Sequence, residues 1–464
     1  MVETKKMLFS SKDIIKIILP VIFQGLLSIA IGMVDSIMVS NKGETAFSGV
    51  SLISTLDVLL ITMFSSLAVG GEVVLSQAMG RRDQKHACET GKQLIYITSL
   101  VAVVITVLSL IFRKDLLFLL YGEVEQAVMD SALSYFLFIA ISFPFLAIDC
   151  CNASMFRAQG DTITTLKVSI FMNVINVVGN ALFIYVCNLD AMGAGIATCL
   201  SRIISSVITL VLIHNKNRFI HVEKLLRFKP NAKIIKSILH IGVPNGIESS
   251  MFQFGRLMTT SLVSLLGTAS IAANAAALTI CNIQYTVGNG IQTTMVTVIG
   301  RCIGAQEKNQ AKFYVKRLLL TSLIIIFVIA LLSGIFATPL LKLFSLSSQA
   351  ENSARQLLLL HMVSSMILWA IAFCLPPAFR AANDVRFSMV TAIISMWLFR
   401  VAFAYFFALP SITVFNLTIP ALNLGIIGVW TAMIIDWFFR AVLFLIRLIS
   451  GKWLHAYDKE NNSI

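Results

Sequence analysis

The chain has 464 residues, of which 57% are hydrophobic and only 13% charged, with a mean hydropathy of +0.86. Soluble domains carry about 25% charged residues. No soluble core could hide this much apolar surface, so the composition excludes a soluble enzyme or binding module and describes a polytopic membrane protein. The formal net charge of +13 is spread over alternate loops, a pattern that records insertion topology and not a nucleic-acid surface.

The opening residues, MVETKKMLFSSKD, are charged. The apolar stretch behind them is too long for a signal-peptide core and lacks a small-residue cleavage site, so it is expected to be retained as a span. From Pro20 to Asn41 it reads PVIFQGLLSIAIGMVDSIMVSN. Gln24, Ser28, Gly32 and Asp35 recur there at steps of three and four, which puts them on one helix face. An acid inside a span costs about 2.5–3.5 kcal/mol on insertion scales and marks a functional site by default.

Twelve stretches have spanning length: 14–40, 48–78, 93–112, 132–155, 163–187, 192–214, 237–266, 271–300, 317–337, 355–380, 386–409 and 422–449. With the N-terminus inside, cytoplasmic segments hold Lys5, Lys6, Lys12, Arg81, Arg82, Lys85 and the basic linker around Lys216–Lys236, whereas external loops hold only Lys42, Arg113, Lys114, Lys342 and Arg355. A bias of roughly five to one places both termini in the cytoplasm of a cell whose plasma (inner) membrane holds the protein. The eight cysteines fall mostly in apolar segments, among them Cys150, Cys151, Cys187, Cys199, Cys281 and Cys374, and are expected to be small buried hydrophobes.

The linker divides the chain into an N-lobe (1–214), a basic cytoplasmic linker (215–236), a C-lobe (237–450) and a cytoplasmic tail (451–464). The lobes resemble each other. LPVIFQG at Leu19 answers VPNGIES at Val243, SQAMGRRD at Ser76 answers GRCIGAQE at Gly300, and FRAQGD at Phe156 answers FRAAND at Phe379. A shared offset of roughly 224 residues marks an internal repeat. Six spans separate equivalent points, so the two halves are parallel. The expected fold is an all-α membrane protein of 12 transmembrane helices, in two parallel six-helix repeats around a central cleft.

Several polar residues lie inside these spans. Asp35, Asn180 and Thr198 sit at one depth, roughly 8–10 Å below the outer surface at 1.5 Å per residue, with Asn176 one turn below Asn180. A carboxylate, two amides and a hydroxyl are hard oxygen ligands suited to a small cation, and the same set can hold a proton on Asp35. Asn and Thr at such places also serve as interhelical polar glue. Asp57 and Asp149 read equally as cleft-lining groups or as packing, with Arg202 as a partner for one of them. Glu72, near the cytoplasmic end of its span, reads as a side chain that snorkels to water. In the C-lobe, Glu248 stands where Gln24 stands in the N-lobe, two turns before Arg256. Asn282, Tyr285, Asn289 and Gln292 form a polar stripe, which faces protein or water and not lipid. Asp436 and Arg440 are an i,i+4 pair that Arg400 could join. There is no GxxxxGK[ST] stretch, so transport by this chain alone would be secondary, without a cofactor.

Together VDSIMVS, SQAMGRRD, FRAQGDTITTLKVS, NVINVVGNALFIY and GAGIATCLS, in that order, resemble the MATE (multidrug and toxic compound extrusion) family, within the superfamily of multidrug, oligosaccharidyl-lipid and polysaccharide exporters. The resemblance implies an antiporter that rocks between inward-open and outward-open states, expelling organic cations and amphiphiles against Na⁺ or H⁺ as a monomer among membrane lipids. It implies an ion site at Asp35, Asn176, Asn180 and Thr198, with Asp35 and Asn180 as Na⁺ ligands if Na⁺ binds. Many relatives have Asp where this chain has Asn180, so one negative charge is missing. Family members bend span 1 near a proline, here Pro20, where a missing N–H is the physical cause. Another family pattern puts a Glu midway along span 7; here Phe252 holds that place and Glu248 stands one turn earlier. The rival expectations are a flippase for a lipid-linked saccharide or other amphiphile, and a membrane receptor or scaffold that transports nothing.

Overall fold

A computed structural model describes residues 7–122, 124–225, 227–414, 417–455 and 457. Lys5, Lys6 and the tail from 458 onward, which bear on the expected placement of both termini, lie outside the described residues. Contacts divide the chain into two compact units, Phe9–Gly246 and Ile247–Ile464, the latter with the residues before Phe9.

The first unit opens with α1 (Ser11–Ser40). A capping box starts it: the Asp13 N–H donates to Ser10 Oγ at 3.2 Å, and the Ser10 N–H donates to the Asp13 carboxylate at 2.9 Å. Pro20 sits inside this helix. Having no N–H, it leaves the carbonyl four residues back without its helical donor. That carbonyl belongs to Lys16, and the Thr162 hydroxyl lies 3.1 Å from it and from the Ile17 carbonyl. Next come α2 (Glu44–Gly80), α3 (Gln84–Ile111), the short α4 (Arg113–Tyr121), α5 (Gln126–Ala158) and α6 (Thr162–Asn180). The last runs on directly as a π-helical segment, Ala181–Val186. α7 (Asp190–Ile213) and the first half of α8 (Ala232–Ser264) complete the unit. Phe64, Phe136, Ile139 and Phe143 make its buried core.

The hydrophilic stretch before α8 is fastened down. The Gln93 amide donates to the Lys229 carbonyl at 2.8 Å, the Tyr96 hydroxyl to the Leu225 carbonyl at 2.8 Å, and Arg218 pairs with Asp161 at 2.7 Å. α8 then crosses α2 at backbone contact. A Cβ on Gly70 would stand 2.6 Å from the Ile238 carbonyl and 2.7 Å from Gly242 Cα, so only glycine permits the crossing.

In the second unit follow α9 (Thr268–Gly304), α10 (Lys308–Ile335), α11 (Ala337–Lys342), α12 (Ser348–Ser365), α13 (Leu368–Cys374), α14 (Pro376–Ala381) and α15 (Val385–Ile394). A second π-helical segment, Ser395–Ala402, leads into α16 (Phe403–Ala408), and α17 (Gly425–Ser450) closes the bundle. Its core is aromatic, with Tyr314, Phe379, Trp437, Phe444 and Trp453 fully buried.

Among the described residues, eight helical runs are singly long and apolar enough to cross a bilayer: α1, α2, α3, α5, α6 with its π-helical extension, α7, α10 and α15–α16. A ninth is α12 with α13–α14, bent by 66° at its break. The remaining long helices, α8, α9 and α17, carry polar and charged residues along their length. Each of the twelve expected stretches falls on one helix or a run of consecutive helices.

Two details depart from expectation. The loop before α17 holds a small antiparallel hairpin, β1 (Ser411–Val414) and β2 (Leu417–Pro420), with Ser411 opposite Pro420. Cys187 is exposed and not buried, because it lies just past the end of the π-helical segment.

Candidate cation-coupling site

The site lies where α1, α6 and α7 of the first unit meet. The outer end of α1 is tied to the turn after α6: Lys42 Nζ donates to Asn188 Oδ1 at 2.7 Å and lies over the Tyr185 ring, while the Tyr185 hydroxyl donates to the Met38 carbonyl at 3.0 Å. These ties hold Asp35 beside α6. At the start of α7, a Cβ on Gly193 would stand 2.9 Å from the Phe183 carbonyl carbon and oxygen. Glycine therefore brings α7 close enough for Thr198 to reach Asn176. Gly193→Ala is expected to lower thermal stability by about 1–3 kcal/mol, the usual range for overpacking; thermal melting in detergent against wild type checks it.

Asn180 Nδ2 donates to Asp35 Oδ1 at 2.8 Å. The Asn176 amide satisfies both its neighbours when its nitrogen faces the acid, donating to Asp35 Oδ1 and Oδ2 at 3.0 and 2.9 Å while its oxygen accepts from Thr198 Oγ1 at 3.3 Å. Asn176 and Asn180 are buried, at 6% and 2% exposure, and Asp35 is half-buried. Asn180 Oδ1 is buried without any hydrogen-bond donor. An acceptor left bare beside a carboxylate suits a cation. Asn180 also ends the regular helix, and π-helical turns inside α-helices are frequent at functional sites. Asp35, Asn176, Asn180 and Thr198 thus come together as one cluster.

The four acids within the spans of this unit fall into two pairs. Asp57 takes a bidentate bond from Arg202 at 2.6 and 3.1 Å, and the guanidinium also donates to Ser142 Oγ at 2.9 Å. Of the two partners open to Arg202, the structure selects Asp57. Glu72 does not snorkel: it is 1% exposed and pairs with Arg157 at 2.9 Å. A buried acid close to an arginine on α5 has no reason to reach for water. Asp35 and Asp149, in contrast, have no cation within 4.0 Å among the described residues. Asp149 is held by the hydroxyls of Ser205 at 2.9 Å and Thr209 at 3.2 Å. Those hydroxyls escaped the sequence reading, though Thr198, Arg202, Ser205 and Thr209 recur along α7 at steps of three and four, the signal that marks a polar helix face.

In the second unit Glu248 is paired with Arg380 at 3.3 Å. Asp436 pairs with Arg440 at 2.7 Å and with Arg400 at 3.8 Å, and it accepts a short bond from Ser395. Along the α9 stripe, Asn282 and Asn289 are exposed, and Gln292 donates to Asn289 at 3.2 Å. Tyr285 turns to protein: its hydroxyl lies 3.1 Å from His361 Nε2 and its ring stacks on Trp369 at 5.6 Å. The buried His361 gave no signal in the sequence. Gln24 is half-buried on α1, where its carbonyl accepts from Ser28.

Two units of spanning helices with an unpaired acid held among amides describe a helical membrane transporter. The profile of the MatE family matches the chain twice, over residues 20–182 and 244–406. The two matches begin 224 residues apart (20 and 244), the offset of the sequence repeat. A probable multidrug resistance protein NorM from Thermotoga maritima is 24% identical over 446 residues, which cover 95% of this chain and 93% of that one. Solved structures of MATE in the bent conformation and in the straight conformation superpose with TM-scores of 0.83 and 0.82, each at 20% identity. The bent one covers 97% of this chain and 96% of its own; the straight one covers 97% of both.

The chain belongs to the MatE family. It has the twelve-helix, two-repeat fold of MATE transporters, and its relatives are transporters, not enzymes.

Proposed function

We propose that the chain exports organic cations and amphiphilic drugs from the cytoplasm across the plasma membrane by antiport with H⁺ or Na⁺, with Asp35 as the group that exchanges the coupling ion. One observation carries this reading: Asp35 has no counter-cation among the described residues, and Asn180 Oδ1 lies bare beside it. A proton would neutralise the acid. A sodium ion would take the carboxylate, the Asn180 oxygen and the Thr198 hydroxyl as hard ligands. A single carboxylate matches a monovalent ion, with Asn180 standing where many relatives have an acid. The reading includes a monomer with both termini in the cytoplasm.

Conformational change is assigned to α1. Pro20 leaves the Lys16 carbonyl to a side chain on another helix, Thr162. A bond of that kind can break without disturbing the helical ladder. MATE has been solved both bent and straight. Pro20→Ala restores the missing donor and is expected to slow export several-fold while leaving ion binding at Asp35 in place, as separate flux and binding assays would show.

The reading is tested by ethidium efflux from proteoliposomes under an imposed H⁺ gradient and, separately, an imposed Na⁺ gradient. Efflux driven by one of them is expected; efflux indifferent to both would overturn antiport.

A further inference from the structure

The linker and the first turns of α8 form a face that neither the coupling site nor the core uses. From Lys216 to Lys236 the sequence holds seven basic residues and a single acid, Glu223. That acid is taken by Lys216 at 3.0 Å, and Arg218 is bound to Asp161. Arg227, Lys229, Lys233 and Lys236 are exposed and make no ion pair among the described residues. Phe228 stands between two of these cations, 67% exposed, with its ring 4.9 Å from that of Tyr96. An exposed aromatic ring among cations is the pattern of a segment that lies on a bilayer surface.

α8 leaves this segment with two faces. Ile234, Ile238 and Ile241 are buried and pack inward. Ala232, Ile235, Lys236, Leu239 and His240 fall at steps of three and four and share another face. With Pro230 they line a groove of about 570 Å³. Two rows run side by side there. Ile235, Leu239 and Val243 form an apolar row, and Val243 is 46% exposed. Lys236 and His240, one turn apart, form a basic row, and their side chains have no hydrogen-bond partner among the described residues. The pair of rows matches an amphiphile with an anionic head. Its phosphate meets the basic row while its acyl chain follows the apolar row along the helix into the bilayer. A soluble anion would use the basic row alone.

We propose that the groove at the start of α8 is a binding site for an anionic phospholipid, with the lipid phosphate on Lys236 and His240. The other linker cations attract the headgroup from a distance, within a Debye length of the surface. The site depends neither on the coupled ion nor on the exported substrate, so its failure would leave the exporter reading untouched.

The test is lipid binding to the purified full chain in a neutral detergent, read by native mass spectrometry. The probes are phosphatidylglycerol, which carries a net negative charge, and phosphatidylcholine with the same acyl chains, which carries none. Wild type is expected to bind phosphatidylglycerol about tenfold more tightly than phosphatidylcholine. A basic residue near the surface is typically worth about fivefold, so Lys236→Gln is expected to weaken phosphatidylglycerol by about that factor and to leave phosphatidylcholine unchanged. His240→Gln is the second variant, with a loss in the same direction. Lys236 is exposed and makes no ion pair, so its replacement leaves the core intact. The charge control is Lys342→Gln, at the exposed end of α11, which is expected to change neither affinity. Equal affinities of wild type for the two lipids, or equal losses in Lys236→Gln and Lys342→Gln, would overturn the site. Glycerol phosphate, which has the head chemistry without the chains, is expected not to displace the lipid at millimolar concentration. Displacement would mark a site for a soluble phosphate and overturn the lipid assignment.

Discussion

Asp35→Asn protein is expected to insert and melt like wild type, yet to lose gradient-driven export. The new amide keeps an oxygen for the Asn180 and Asn176 donors that now hold the carboxylate at 2.8–3.0 Å. What disappears is a charge without a counter-ion, and removing such a charge in a low-dielectric setting does not cost stability. Coupling between two ligands is typically about 1–3 kcal/mol, or 5–150-fold. The acceleration of ethidium efflux by an ion gradient should therefore vanish over that range. The measurement is efflux with and without the gradient, beside a melting curve. A melting temperature well below wild type would mean that the acid is structural.

The second large effect is on stability. Asp57→Ala leaves Arg202 as a buried cation whose bidentate partner has gone, with only Ser142 Oγ at 2.9 Å remaining. Both side chains of the pair are nearly enclosed, at 10% and 13% exposure. Breaking such a pair from one side costs about 3–5 kcal/mol, whereas replacing both charges together is often close to neutral. Asp57→Ala is therefore expected to aggregate or melt far below wild type in detergent, and the double variant Asp57→Leu with Arg202→Met to recover most of the loss. A single variant as stable as wild type would show that Arg202 finds another partner. These two results would separate Asp35, as an acid that works, from Asp57, as an acid that holds.

That separation was beyond reach of the sequence. Helix positions and the repeat were legible because hydrophobic length, the basic bias of alternate loops and a constant motif offset are one-dimensional signals. The Asp35 cluster was legible too, since depth along a helix follows from residue count and four oxygen-bearing side chains fell at one level. Pairing was not legible. Asp57, Glu72 and Asp149 look alike in sequence, and only helix rotation decides that Arg202 meets Asp57, that Arg157 meets Glu72, and that Asp149 meets hydroxyls. The Thr162 hydroxyl beneath Pro20 was hidden for the same reason, because its partner carbonyls lie about 145 residues away. The hairpin between α16 and α17 lacked a turn signal of the Asn-Gly kind.

Antiport through Asp35, as proposed, requires that substrate binding release the coupling ion from that acid. That requirement is tested most directly by measuring ion release when ethidium is added to the purified protein, as proton release in weak buffer or as displacement of bound ²²Na⁺. Wild type is predicted to release one of the two ions on ethidium binding and Asp35→Asn to release neither. Equal release from both proteins would contradict the account.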